Sequence, residues 1–139
     1  MAAIAPIAIN DGKGTPVSHV YNPVQTGDVA TYKRNGDTAV PVVAFESVQL
    51  SLKEANGSSE SVSRAKLTIR LPVLETPSGG ASSGYVAPPK IAFYLQLNIE
   101  ALLPNRSTAE QRKDMRVLAM NLMNNPQAIA LIEQLERPY

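Results

Sequence analysis

Apolar and polar side chains alternate strictly between residues 64 and 74: Ala65, Leu67, Ile69, Leu71 and Val73 fall on one parity, Arg64, Lys66, Thr68 and Arg70 on the other. Successive side chains of a pleated strand point to opposite sides, so this pattern predicts a long strand with one apolar and one basic face. Residues 90–100 repeat it, with Ile91, Phe93, Leu95, Leu97 and Ile99 opposing Lys90, Tyr94, Gln96, Asn98 and Glu100. A third instance sets Val48, Leu50 and Leu52 against Ser47, Gln49, Ser51 and Lys53. Three neighbouring strands of this kind can pool a single polar face.

Turn signals divide the first hundred residues into short strands. Asp11-Gly12-Lys13-Gly14, Asn35-Gly36-Asp37 and Asn56-Gly57-Ser58 supply residues that tolerate positive φ. They bracket expected strands near residues 3–9, 17–25, 28–34, 43–53, 62–74 and 85–100. Residues 75–84, rich in glycine and serine, form a long connection between the two best strands, of the kind that serves a contact more often than a turn.

After Pro104 the apolar period changes from two to 3.6. Ser107-Thr108-Ala109-Glu110 fits the capping-box pattern and predicts a helix start. Met115, Leu118, Ala119, Leu122 and Met123 make its apolar stripe. Asn124-Asn125-Pro126 ends this helix and opens a second, with Asn125 as cap and Pro126 at the first helical position. Ala128, Leu131, Ile132 and Leu135 form the second stripe. The fold class is therefore α+β: an antiparallel sheet opened by an N-terminal hairpin, then two C-terminal helices. At 139 residues it reads as one domain, 1–104 forming the hairpin and sheet and 105–139 the two-helix segment.

Composition narrows the chemistry. A hydrophobic fraction of 44% describes a globular chain, but with Phe 2 and Trp 0 its core must rely on aliphatic layers. Cys 0 excludes disulfides, thiolate metal sites and a thiol nucleophile. His19 is the single histidine, placed in an early strand where packing or a surface role is expected, and the acidic residues are scattered. No nucleophile, metal set or acid/base pair supports an enzyme, and no metal, cofactor or small-molecule substrate is expected. Gly12-Lys13-Gly14-Thr15 lacks the full spacing of a phosphate loop and reads as a hairpin turn. The apolar opening, residues 1–9, lacks a basic n-region, and no uncharged apolar run approaches the ~20 residues that span a bilayer. A soluble chain with no membrane partner is expected.

The formal charge of +1 does not by itself announce a nucleic-acid partner; what matters is where the 13 basic residues sit. The polar face has two readings, an ordinary solvated sheet surface or a platform for RNA. Tyr94 favours the platform, since an aromatic amid Lys66, Thr68, Arg70 and Gln96 can stack on an unpaired base while the cations meet phosphates. The apolar face and the helix stripes are likewise open to two solutions. Either the chain is a monomeric α+β sandwich, or sheets join edge to edge in a dimer with helices crossing onto the partner.

At this point the chain resembles the coat proteins of single-stranded RNA bacteriophages, the levivirus-like family. The order of elements agrees over essentially the whole chain. Thr68-Ile69-Arg70 looks like the family's Thr-Ile-Lys segment, Tyr94-Leu95-Gln96 like its Tyr-Leu-Asn segment, and Gly79-Gly80 falls where the family carries paired glycines in a loop. The resemblance implies an interlocked homodimer, many copies of which form an icosahedral shell around single-stranded genomic RNA, assembled in a bacterial host's cytoplasm and carried in the virion. Helices pack over the partner's sheet outside, with Leu118, Leu122, Ile132 and Leu135 at the dimer interface, and the other sheet face lines the interior. In relatives that face also binds an RNA hairpin and represses translation. Carried over by residue, Tyr94 would stack on a loop base, Gln96 would contact base or backbone, and Thr68 and Arg70 would line an adenine pocket and a phosphate track. Ser47, Gln49 and Lys66 join this set from face parity alone. Ser78, Gly79 and Gly80 would make contacts between dimers. Gln96 and Arg70 depart from the family's Asn and Lys, which leaves the cognate hairpin undefined. The rival reading is a small dimeric cytosolic RNA-binding regulator that never builds a shell.

Overall fold

The computed structural model describes residues 4–57, 61–75 and 88–137. Ser78, Gly79 and Gly80 of the glycine- and serine-rich connection lie outside them. The chain divides into two compact units, one of Met1–Glu54 with Ser63–Leu102 and one of Ala55–Val62 with Leu103–Tyr139.

The first unit is built on a six-stranded antiparallel sheet in simple chain order. Its strands are β1 (Ile7–Asn10), β2 (Ser18–Gln25), β3 (Val29–Lys33), β4 (Ser47–Lys53), β5 (Val62–Leu74) and β6 (Ile91–Pro104). The two longest strands are those with the longest alternating runs. Register locks β4 to β5 over seven pairs, from Ser47 opposite Arg70 to Lys53 opposite Arg64. Every apolar β4 side chain thus meets an apolar β5 neighbour, because a slip by one residue would turn the whole set over. Between Pro23 and Gln25 the pairing with β3 shifts, leaving Val24 as an extra residue. Proline cannot donate to the ladder, which makes Pro23 a natural site for a bulge.

Four expectations about this unit need correction. The fourth strand begins at Ser47 rather than residue 43, because Val42–Ala44 form a 3₁₀ turn closed by Ala44 N–H donating to Pro41 O at 2.8 Å. Residues 4–6 are not strand, and the last strand starts at Ile91 and runs to Pro104. Among the three glycine turns only Gly57 uses positive φ (+40°); among the described residues the other positive-φ glycine is Gly27, between β2 and β3. The β1–β2 connection is held instead by Asp11. Its Oδ1 accepts from Val17 N at 2.9 Å and Lys13 N at 3.4 Å, while its own N–H donates to Val17 O at 3.0 Å. A carboxylate bonding nearby amides replaces the unusual backbone that glycine was expected to supply.

The apolar face carries a small core of Tyr21, Tyr32 and Val48, packed by Ile7, Ala30, Leu50 and Ile69. Among the described residues no side chain is completely buried, and Phe93, Leu95, Leu97 and Ile99 of β6 are exposed.

In the second unit α1 spans Ala109–Met123 and α2 Pro126–Ile129. The capping box lies one residue later than expected: Thr108 Oγ1 accepts from Gln111 N at 3.2 Å and Gln111 Oε1 from Thr108 N at 2.9 Å. Ser107 is already engaged, its hydroxyl donating to Pro104 O at 2.7 Å. Asn125 Oδ1 caps α2 by accepting from Gln127 N at 3.0 Å, with Pro126 in the first turn. The helix then widens into a π segment, Ala130–Gln134, and stops at Leu135, whose φ of +57° is left-handed. Leu135 therefore lies past the helix rather than on its stripe. Leu118, Leu122, Leu131 and Ile132 are all exposed in the single chain. Among the described residues no helix is long and apolar enough to cross a membrane.

Candidate nucleic-acid interface

Strand register assembles the polar face row by row. One row runs Lys33, Ser47, Arg70; the next Thr31, Gln49, Thr68; the next Val29, Ser51, Lys66; and Lys53 stands opposite Arg64. β6 joins through side chains. The Arg70 guanidinium lies 3.8 Å from the centroid of the Tyr94 ring, Thr68 Oγ1 donates to Asn98 Oδ1 at 2.9 Å, and Gln96 Nε2 donates to the same oxygen at 3.2 Å. Arg64 Nη1 sits 3.9 Å from Glu100 Oε1. Ser47, Gln49, Lys66, Thr68, Arg70, Tyr94 and Gln96 are thus gathered on one face of the sheet.

This face gathers five cations, Lys33, Lys53, Arg64, Lys66 and Arg70, in a chain whose net charge is only +1. Local field, not net charge, is what a polyanion meets first. The stacked guanidinium holds Tyr94 by a cation–π contact and covers one side of its ring. Two contributors escaped the sequence reading. Lys33 shares a row with Ser47 and Arg70, which only strand order could reveal. Asn98 had the right parity, but its role as the acceptor shared by Thr68 and Gln96 is a matter of side-chain geometry.

A second polar group sits at one end of the other face, and includes His19. Glu46 Oε2 lies 2.8 Å from His19 Nδ1 and accepts from Tyr21 Oη at 2.8 Å, while Arg34 Nη1 donates to Glu46 Oε1 at 3.0 Å. Asp11 Oδ2 approaches His19 Nε2 at 3.4 Å and Lys13 Nζ at 3.3 Å. Burial opposes ionisation of Glu46, but hydrogen bonds from His19 and Tyr21, the charge of His19 and the bond from Arg34 outweigh it and lower its pKa. Burial, the hydrogen bond to Glu46 and that carboxylate's charge push the Tyr21 phenol upward. The Val17 amide is the main cause that lowers Asp11 to about 2. His19, for which packing or a surface role was expected, sits in a polar network tying the first hairpin to the end of β3 and the start of β4. Among the described residues no group of three or more His, Cys, Asp or Glu is arranged to hold a metal.

Residues 2–139 match the family described as levivirus coat protein. The chain belongs to that family. Its members are structural proteins of the capsid, so the chain is a virion component and not an enzyme, and the regulator that builds no shell is set aside. Solved structures show the same fold. A virus-like particle of bacteriophage ESE058 superposes with a TM-score of 0.88 at 24% identity, covering 99% of this chain and 100% of that one. One of bacteriophage NT-214 gives 0.85 at 22% identity over 99% and 100%. The bacteriophage GA protein capsid gives 0.67 at 19% identity, covering 96% of each chain. None of the curated proteins matches the chain by sequence. At these identities the shared coat-protein fold is what the comparison shows.

Proposed function

We propose that this coat protein is an obligate homodimer, that its dimers close into an icosahedral shell assembled in the host cytoplasm, and that the polar sheet face lines the interior and binds single-stranded genomic RNA. The observation that carries the proposal is how little the single chain buries. Among the described residues the buried hydrophobic ones are Tyr21, Tyr32, Ala44 and Val48, whereas Phe93 and Leu95 of β6 and Leu118 and Leu122 of α1 are more than half exposed. A folded monomer does not leave so much aliphatic surface in water, because apolar area contributes stability only when it is removed from it. A second copy answers this in two places. β6 is a long edge strand ready to pair with its own equivalent, and the helix stripes, with Leu118, Leu122 and Ile132, together with Leu135 just past the last turn, need an apolar surface such as the partner's sheet.

The RNA assignment rests on the five cations and Tyr94 sharing one face, with Ser47, Gln49, Thr68 and Gln96 among them. Cations neutralise phosphates whatever the base, and the ring and amides supply the contacts that distinguish a hairpin loop from bulk RNA. Translational repression through such a hairpin is the same surface used on a single message. Ser78, Gly79 and Gly80 are proposed to contact neighbouring dimers, on the strength of their composition. Light scattering coupled to size exclusion, with negative-stain microscopy, tests the whole: megadalton hollow particles that dissociate to dimers are expected, and a stable folded monomer overturns the proposal.

A further inference from the structure

We propose that Asn98 is a specificity-determining residue that reads the keto edge of an unpaired guanine or uracil and discriminates against the amino edges of adenine and cytosine. The inference deepens the RNA-binding reading above and rests on it. Its basis is the side-chain network on the polar face. Thr68 Oγ1 donates to Asn98 Oδ1 at 2.9 Å and Gln96 Nε2 donates to the same oxygen at 3.2 Å. A carboxamide oxygen has two lone pairs, and both are engaged. What remains of Asn98 is its Nδ2 amino group, two donors for which the described residues show no hydrogen bond.

An asparagine with both functions open pairs with adenine by donating to N7 and accepting from N6. Here the accepting half is spent. The remaining donors match guanine, whose N7 and O6 both accept, or uracil, which offers O4. An amino group at the corresponding position of adenine or cytosine would face them donor to donor, with one group left unpaired. Thr68 and Gln96 act as positioning residues, since they fix which end of the Asn98 amide faces outward.

The nucleotide concerned differs from the one stacked on Tyr94. Residues 94 and 98 share a face two pleats apart, a span of ~13 Å along the strand. Arg70, already against Tyr94, stays at the stacking end, and Glu100 is engaged with Arg64 on the far side of Asn98. Asn98 is exposed, so it is free to meet a base without opening the fold.

The test uses the intact dimer and RNA hairpins with one fixed stem and loops made of uridine, of adenosine, of cytidine, or of adenosine with a single guanosine walked through the loop. Fluorescence anisotropy gives the affinities. Wild type is expected to prefer uridine loops, and one guanosine register, over adenosine and cytidine loops by roughly tenfold. Asn98→Asp keeps the accepting oxygen but replaces the donors with an acceptor. It is expected to reverse that order while weakening all hairpins by a common factor through its charge. Thr68→Val frees one lone pair and should narrow the preference, and Thr68→Ser should restore it. Equal affinity for all loops, preference for adenosine or cytidine, or an unchanged order in Asn98→Asp each overturns the proposal. Equal affinities that still fall in Lys66→Ala leave the RNA face standing without this reader, whereas hairpin binding indifferent to both Lys66→Ala and Tyr94→Ala removes the RNA face and the reader with it.

Discussion

In the proposed RNA face Tyr94 would supply stacking and Lys66 charge, and substitution separates the two. Tyr94→Ala is expected to cost about 1–3 kcal/mol for a hairpin with a stacked loop base and less for unstructured RNA, since stacking demands an unpaired base held at the ring. Lys66→Ala should weaken all RNA alike and lower the slope of log affinity against log salt by about one, because a phosphate contact releases a counterion whatever the sequence. Filter binding across a salt series measures both, and equal losses on hairpin and bulk RNA for Tyr94→Ala would place stacking elsewhere. Much of this face was legible in the sequence. Parity alone puts Lys66, Thr68 and Arg70 together, and Tyr94 with Gln96, because the period of a strand is two. It was silent on Lys33, which joins only through the order of strands, and on Asn98, whose importance comes from two hydrogen bonds that no spacing encodes.

Elements were legible where a single local cause fixes them. The strands β4, β5 and β6 follow from alternation, and Asn125-Pro126 set the start of α2 through a side-chain acceptor and a fixed φ. Boundaries moved where two candidates competed: Thr108 with Gln111 displaced Ser107 with Glu110 once the Ser107 hydroxyl turned back to Pro104. The first hairpin was the least legible element, because Asp11, His19, Tyr21, Arg34 and Glu46 come together from three separate segments. That network makes a pH prediction. A carboxylate whose folded pKa lies below its unfolded value stabilises the fold above the unfolded pKa, and this contribution is lost as pH falls through the folded one. Asp11 spans 3.8 to about 2, and Glu46 is lowered from an ordinary 4.5. Thermal stability should therefore fall as pH drops below about 4.5, with the loss continuing toward pH 2. Glu46→Gln should cost on the order of 2 kcal/mol at neutral pH and show a shallower decline in acid, because its charge-assisted bonds are already gone. Melting followed by circular dichroism from pH 7 to 3 checks it; parallel curves for variant and wild type would show that Glu46 has no part in the acid transition.

For the whole molecule the decisive quantity is the apolar surface that the single chain leaves exposed. The stripes on α1 and on the segment after Pro126 were plain from the 3.6-residue period, but what covers them cannot be read from periodicity, since a stripe records only that something apolar must face it. Pairing of β6 edges and burial of the helix stripes together would remove Phe93, Leu95, Leu118 and Leu122 from water in both copies at once, which makes folding and association a single event. Leu122→Asp then places an unpaired charge at the intersubunit core, at a cost on the order of 3–5 kcal/mol per subunit, counted twice by symmetry. The expected result is loss of soluble dimer and of particles together, with no folded monomer in their place. Tyr94→Ala supplies the contrast, because its ring shares the polar face with Arg70 and lies opposite the side chains of Phe93 and Leu95; dimers and particles should form as in wild type. Size exclusion with light scattering and circular dichroism on both variants decides the matter. A monomeric Leu122→Asp protein that kept the wild-type spectrum and melted cooperatively would show that the chain folds before it associates.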